Sequence, residues 1–552
     1  MAQPLPRCVD TVIIGNGPSA LILSYILHGH IPYYIGGHHD SILDLKLSKR
    51  PCLLELTPDL YAHFSSSLRY STQALPVNTL LDTLIRLNAD TDTNPTSCIE
   101  WRYEPEKAVS HVAIGETPQA GGQWAENPVA ARADIGTLSY AEMLSLPGYS
   151  YSEHIAQEEK REQCDFVRPT RAQVAGYLKA YPQAVGISDA VHTATRVPTV
   201  HRTANGFVIG SLGIRCKHLV LASGIFTVNI PPTPLLMPIA QLDTCTEPLL
   251  VIGSGFSAAD VIISAPRTRK VIHIFQWAPD TRPSPLRGCH HSAYPEYATI
   301  YRQMKMSAIG PNKKLHARSP LLRQKSNPFF AQRDWATCYE GLPNAEVLET
   351  SCPEGAGKAV VKIRTASGDV ISRTVGGLEY CVGRRGSLDY LSPDLCAEVL
   401  GADNEDITAS QPPTLISGQT LRAKAESSLE VAKDVFIIGS LAGDSLIRHA
   451  VGGCVFAAGR IMKITPSAIS PRLSLSPASS SPRSASPTPL SDEKSVSSTP
   501  SQTSSLVGVE LTPALLANGH SDLHIDRKKM ARVVEVANVE NRYWVEMEIW
   551  GR

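Results

Sequence analysis

Gly15, Gly17 and Ala20 occupy the three small positions of G-x-G-x-x-G/A within TVIIGNGPSALILSYIL, residues 11–27. The run passes from an apolar strand through a tight turn into an apolar helix. The chemistry suited to such a turn is anion binding. The first glycine permits the turn, the second lets backbone approach a pyrophosphate, and the third small residue lets helix and strand pack closely. With Pro18 and Ser19 in the turn, the N–H groups that open the helix face the anion. In a nucleotide site an acidic residue about twenty positions on holds the ribose. IPYYIGGHHD leaves its strand at Ile35 without one. Asp40, a few residues late, is the nearest substitute; failing that, backbone or water would hold the ribose.

A second run, PLLVIGSGFSAADVI, carries Gly253, Gly255 and Ala258 in the same three positions, with Phe256 and Ser257 opening the helix. Either motif alone also fits an ordinary strand–helix turn. Two of them in proper context point to two dinucleotides on two folds. Three further pieces follow in the order that a two-dinucleotide flavoprotein needs. Gly122, Gln123 and Trp124 in AGGQW stand where a flavin ring would be covered. Ser223 and Gly224 end the buried strand HLVLASG. Gly439, Gly443 and Asp444 follow the apolar strand DVFIIG, where a carboxylate can accept a hydrogen bond from a ribityl chain. The helix around GGCVFAAGRIM would aim its N-terminus at the pyrimidine end of the flavin and stabilise negative charge there. Gln123, Trp124 and Asn229 read equally well as packing or turn residues, and no catalytic side chain can be named.

The strand VIHIFQW after the second motif also ends without an acid, and Arg282 and Arg287 follow it. An arginine there can pair with the 2′-phosphate of NADP, which a carboxylate would repel. Both arginines also suit a solvated surface. NADPH is the nicotinamide expected.

The elements that must position these residues come from a chain of 552 residues, long enough for two or three domains with buried cores. Residues 1–464 alternate Val/Ile/Leu strands with helical stretches and glycine turns, the pattern of an α/β protein with parallel sheets. Residues 466–505 hold sixteen serines and seven prolines and should be disordered. In the last stretch, YWVEMEIW alternates apolar and acidic residues like a half-buried strand.

Fifty-two basic residues balance fifty-two acidic ones, so no global field points to nucleic acid or an anionic membrane. The longest nearly apolar run is broken by two glycines and Asp260, so no membrane span is expected. The N-terminus has no apolar targeting region. Twelve cysteines without a C-x-x-C pair indicate reduced thiols in a cytoplasmic setting. They also remove most of the case for a flavin disulfide reductase. Residues 225–252 lack the F-x-G-x-x-x-H stretch of Baeyer–Villiger enzymes, and Gly-x-Ser-x-Gly does not occur. His38-His39 and Cys289-His290-His291 read as loop residues, and no metal site is expected.

VIIGNGPSA, GGQW, LSLPGY (Leu144–Tyr149), VGRRGSLDYLS and FIIGSLAGDSLIR carry a family likeness. Over residues 8–464 the chain resembles the flavin-containing monooxygenase-like superfamily, and within it most resembles the oxidative-stress-induced growth inhibitor family. The resemblance implies an α/β fold of two Rossmann-like, dinucleotide-binding domains. A discontinuous FAD domain (1–244 and 374–465) would hold an inserted NAD(P)H domain (245–373), followed by the linker 466–505 and the tail 506–552. It implies an FAD-dependent, NADPH-using oxidoreductase of monooxygenase type, acting with O₂ on an unidentified small molecule. Two alternatives stay open. One is a regulatory or redox-sensing flavoprotein with little turnover and tail-mediated protein partners; the other is an NADPH oxidase producing peroxide.

Overall fold

A computed structural model describes residues 4–55, 74–87, 96–158, 166–309, 329, 332–353, 355, 357–401 and 415–462. Strand β1 (Thr11–Ile14) is buried at all four positions, as a parallel strand covered on both faces must be. Helix α1 (Pro18–Leu27) starts with a proline in its first turn, where the missing N–H costs nothing and the fixed φ already suits a helix. The described residues between α1 and the next strand of this sheet (28–55, 74–87 and 96–110) lie outside it. Within them His30–Tyr34 pairs antiparallel with Ile99–Tyr103 as a two-stranded sheet of its own. Helix α2 (Pro76–Ile85) belongs to the same excursion. The chain returns as β2 (His111–Ile114), parallel to β1, and β3 (His218–Leu221) lies parallel on the other side of β1.

A second parallel sheet follows. It is built from β4 (Leu249–Ile252), helix α3 (Phe256–Ser264), β5 (Val271–Phe275), Tyr339–Pro343 and β6 (Gly377–Tyr380). Its order is Tyr339–Pro343, β5, β4, β6. An antiparallel layer of Glu346–Ser351, Ala359–Arg364 and Val370–Val375 precedes β6. The chain then rejoins the first sheet as β7 (Val435–Ile437), parallel to β3, and closes with helix α4 (Val451–Ile461). The α/β class with two parallel sheets is therefore as expected. The expected end of the inserted unit at residue 373 falls short of β6, which is hydrogen-bonded to β4. Its sequence, GLEY, is too short and too polar to announce a parallel strand. The Ser/Pro-rich stretch 466–505 and the tail 506–552 lie outside the described residues. No described helix is long and apolar enough to cross a membrane.

One continuous core joins the first sheet, α1, α2 and α4. The close approach of α4 to α2 and to the short turn Leu53–Glu55 depends on small residues. A Cβ on Gly452 would run into the carbonyl of Val77, and one on Gly459 into that of Leu54. Gly452→Ala should therefore destabilise the protein by about 1–3 kcal/mol, the usual cost of overpacking. Urea unfolding checks this; an unchanged midpoint would mean that α4 does not pack as described.

Candidate dinucleotide-binding site

The two strand–turn–helix units are built alike. Gly15 N–H donates to the Ile114 carbonyl at 2.7 Å, and Ala222 N–H to that of Ile14 at 2.8 Å. In the second unit Gly253 N–H donates to Ile274 at 3.0 Å, and Cys381 N–H to Ile252 at 2.7 Å. Gly15 and Gly253 have φ of +131° and +152°. A Cβ on either would collide with the carbonyl of Ala222 or Cys381. The fold itself requires glycine there.

The second glycines differ. Gly17 has φ −78° and Gly255 φ −107°, values open to any residue. The nearest atom to an added Cβ lies 4.0 Å away in each case, Gly122 Cα and Pro285 Cγ respectively. Among the described residues no atom comes closer to that space. Both helices also begin without a side-chain cap, so their first N–H groups are left for an outside acceptor. Ala20 and Ala258, at the third positions, are buried where helix meets strand.

Around the first unit the segment after β2 folds back over the turn. Gly121 N–H donates to the Asn16 carbonyl at 2.8 Å, and Thr117 Oγ1 to Asn16 Oδ1 at 2.9 Å. This brings Gly122 against Gly17. At the same junction a Cβ on Gly439 would strike Ser19 Oγ, and Ser440 Oγ accepts from Ile225 N–H at 3.2 Å, just after Ser223-Gly224.

An acid stands just beyond the strand that is the parallel neighbour of β1. β1 pairs with β2 so that Ile14 faces Ile114; β4 pairs with β5 so that Ile252 faces Ile274. Two residues beyond β2 is Glu116, and the matching place beyond β5 is Gln276. The strand that seemed to lack an acid, His30–Tyr34, is not the neighbour of β1. Glu116 is exposed, 3.9 Å from Arg196. Its signal was an acid ending an apolar strand shortly before Gly-Gly-Gln-Trp. Asp40 serves elsewhere, since its carboxylate caps the helix Ser41–Lys49 through Ile42 N–H and Leu43 N–H.

Asp444 is buried and holds distant segments together. It accepts from Arg422 Nη1 at 2.6 Å, Leu75 N–H at 2.9 Å and Asn78 Nδ2 at 2.5 Å. Asn78 Oδ1 in turn accepts from Gly453 N–H in the first turn of α4. Nearby, Asp82 pairs with Arg448 at 2.6 Å and Arg86 at 3.2 Å. Burial alone would raise the Asp82 carboxyl, but Arg448 and Arg86 hold it below the ordinary value.

A cavity of about 700 Å³ runs along the second unit and reaches segments that pack beside the first, while no residue of 11–27 lines it. The segments beside the first unit contribute Gln123, Trp124, Gly443 and Asp444; the second unit and the loop after it contribute Gly253, Gly255, Phe256, Ser257 and Arg282. Gly15, Gly17, Pro18, Ser19, Ala20, Gly122, Ser223, Gly224 and Ala258 are not in its lining. Arg287 is also outside it, exposed and donating to the Pro279 carbonyl at 3.0 Å. The structure thus separates the two arginines that followed the second motif. Asn229 likewise faces away, with Nδ2 donating to the Pro128 carbonyl.

The cavity also holds residues to which no motif gives a role: Asp260, Tyr297, Arg171 and Arg384. Tyr297 OH donates to Asp260 Oδ1 at 2.8 Å. Burial pushes the Asp260 carboxyl up to about 6, against the opposing charges of Arg384 and Arg171. A raised carboxyl favours its protonated form in the fold. Its contribution is complete below the unfolded value near 4 and is lost as pH rises through about 6. Asp260→Asn should therefore match wild type only below about pH 4, gain on it as pH rises toward 6, and exceed it above pH 7 by on the order of 2–3 kcal/mol. Urea unfolding at several pH values checks this, and parallel stability profiles would show that Asp260 is not held neutral.

No family model matches the chain. Oxidative stress-induced growth inhibitor 1 of Mus musculus is 25% identical over 508 residues, covering 84% of this chain and 96% of that protein. Oxidative stress-induced growth inhibitor 2 of Homo sapiens is 24% identical over 506 residues, covering 80% and 91%. Among solved structures, a flavin-containing monooxygenase from Stenotrophomonas maltophilia aligns with 83% of this chain and 98% of its own, at 14% identity and a TM-score of 0.43. By sequence the chain is a homologue of the oxidative stress-induced growth inhibitors over most of its length.

Proposed function

We propose that this protein is an FAD-dependent oxidoreductase of monooxygenase type, which takes electrons from NADPH and acts with O₂ on a small molecule. The observation that carries the reading is the open space at Gly17 and Gly255, each at the head of an uncapped helix. Glycine at those positions serves no packing need of the chain, so its use lies in the approach of an external group. The residues present fit a dinucleotide at each unit. Gly17 and the α1 N-terminus would hold the FAD diphosphate, Glu116 its adenosine ribose, and Asp444 a ribityl hydroxyl through its remaining lone pair. Gly255 and the α3 N-terminus would hold the NADPH diphosphate. Gln276 stands where a carboxylate would repel the 2′-phosphate, and Arg282 lines the cavity beside it.

Bound FAD supplies hydride acceptance and O₂ chemistry that no side chain can. The chain's own part is to bind, orient and exclude water. Trp124, Phe226, Ile225 and Leu138 give the cavity apolar walls. Asp260, poised near neutrality with Tyr297 against it, can hold or release a proton at its carboxylate. Cys381 is the single cysteine among the described residues that lines the cavity, and burial pushes its thiol up to about 12. That favours oxygen chemistry over dithiol exchange, which needs a thiolate and a partner. The free described cysteines suit a reducing compartment such as the cytoplasm.

The test uses the purified full chain. Wild type should be yellow, bleach with NADPH without air and recover its colour in air. Gly17→Val should fold like deflavinated wild type yet stay colourless. Gly255→Val should be yellow but resist bleaching. A fully yellow Gly17→Val defeats the assignment, and a wild-type flavin that NADPH leaves oxidised favours the regulatory reading. Stoichiometric peroxide without added substrate would instead mark an oxidase.

Nicotinamide choice is tested separately. Arg282→Ala should slow reduction by NADPH roughly tenfold, as loss of a charge-assisted contact worth about 1.5 kcal/mol implies, and leave NADH unaffected. Equal wild-type rates with NADPH and NADH would remove the role given to Arg282.

A further inference from the structure

Arg384 and Arg171 give the cavity charge that the dinucleotide reading does not use. Arg384 opens the strand Arg384–Ser387, which pairs antiparallel with Val228–Asn229. Its guanidinium carbon lies 4.6 Å from the centre of the Phe226 ring. Its Nη1 is 3.5 Å from Gln123 Oε1, too long for a strong bond. Arg171, the first residue of the helix Arg171–Ala184, donates from Nη2 to the Ala131 carbonyl at 3.1 Å. Among the described residues neither guanidinium forms an ion pair with a carboxylate.

Both act at longer range on Asp260, whose burial favours its neutral form. Burial also pushes the Arg384 guanidinium below its ordinary value. Two cations facing a single carboxyl leave a net positive site whether or not that carboxyl is ionised, and a buried cation without a full counter-charge is costly. The phosphates of a dinucleotide at α3 do not supply that charge in this reading, because they sit at the helix N-terminus with Arg282. Arg384 instead touches Gln123 and Phe226, from the loops that serve the first unit. The same cavity is lined by the apolar side chains of Trp124, Ile135, Leu138, Leu144 and Ile225 as well as Phe226.

We propose that this part of the cavity receives an apolar small molecule bearing a carboxylate, whose oxygens pair with Arg384 and Arg171 while its hydrocarbon lies among Trp124, Ile225 and Phe226. Arginine suits this role because its planar fork can meet both carboxylate oxygens. The assignment names the substrate class of the oxidoreductase proposed above and rests on that reading.

Calorimetric titration of the full chain tests it, with flavin content recorded separately so that loss of the flavin reading and loss of this one are told apart. The probes are octanoate, phenylacetate, octan-1-ol and octylamine. At least one of the two acids should bind more than roughly tenfold tighter than the alcohol, and the amine should give no heat. Arg384→Gln should weaken the binding acid roughly tenfold or more and leave octan-1-ol unchanged, with Arg171→Gln acting in the same direction. Arg384→Lys keeps the charge but not the fork, and should fall between wild type and Arg384→Gln if the latter folds poorly. Saturating NADP⁺ should leave acid binding intact. No heat from either acid at millimolar concentration overturns the proposal, as does equal binding of acid and alcohol. Competition by NADP⁺, together with a loss of NADP⁺ affinity in Arg384→Gln, would assign the guanidinium to the cofactor instead.

Discussion

Two backbone carbonyls, of Ala222 and Cys381, stand where a side chain on Gly15 or Gly253 would have to be. This close passage of one strand end beside another is the constraint on which the rest of the architecture depends. It lets the chain turn sharply out of β1 and β4, and it forces the following helices to start beside the C-terminal ends of their sheets. Their free N–H groups are thereby aimed outward rather than into the core. Everything assigned to cofactor binding sits around those two turns.

The excursion 28–110 is tied to the same region by buried polar contacts. Leu75 and Asn78 hold the Asp444 carboxylate, Asn78 also meets the first turn of α4, and Asp82 pairs with both Arg448 and Arg86. Removing one partner from such a buried set leaves an uncompensated charge, which usually costs about 3–5 kcal/mol. The excursion therefore acts as a clamp on the return segment 439–461 and keeps Asp444 at the cavity wall.

Much of this was legible in the sequence because turn chemistry is local. Gly15, Gly253, Ala20 and Ala258 announce themselves within a few residues of the strand they follow, and the order of Trp124, Gly224 and Asp444 could be read without coordinates. Glu116 could not be found by counting from Gly15, because residues 28–110 separate α1 from β2. The strand His30–Tyr34 arises where the acid-bearing neighbour of β1 was expected, yet it pairs elsewhere. Tyr297 and Arg171 carry no local motif, and Asp260 and Arg384, though they sit within the quoted runs PLLVIGSGFSAADVI and VGRRGSLDYLS, have no role there that a motif assigns. They come from separate segments and acquire meaning only from the cavity that gathers them. Arg282 and Arg287 looked equivalent in sequence, but only Arg282 lines the cavity, and Arg287 lies in a short 3₁₀ turn at Pro285–Gly288 outside it.

Under the proposed function, the spaces beside Gly17 and Gly255 exist for dinucleotide phosphates. A crystal structure of the protein purified with its cofactor and soaked with NADP⁺ tests this most directly. One diphosphate should lie against the backbone at Gly17 and another at Gly255, with Glu116 turned from Arg196 toward the first ribose. Diphosphate density away from both turns, with Glu116 still facing Arg196, would contradict it.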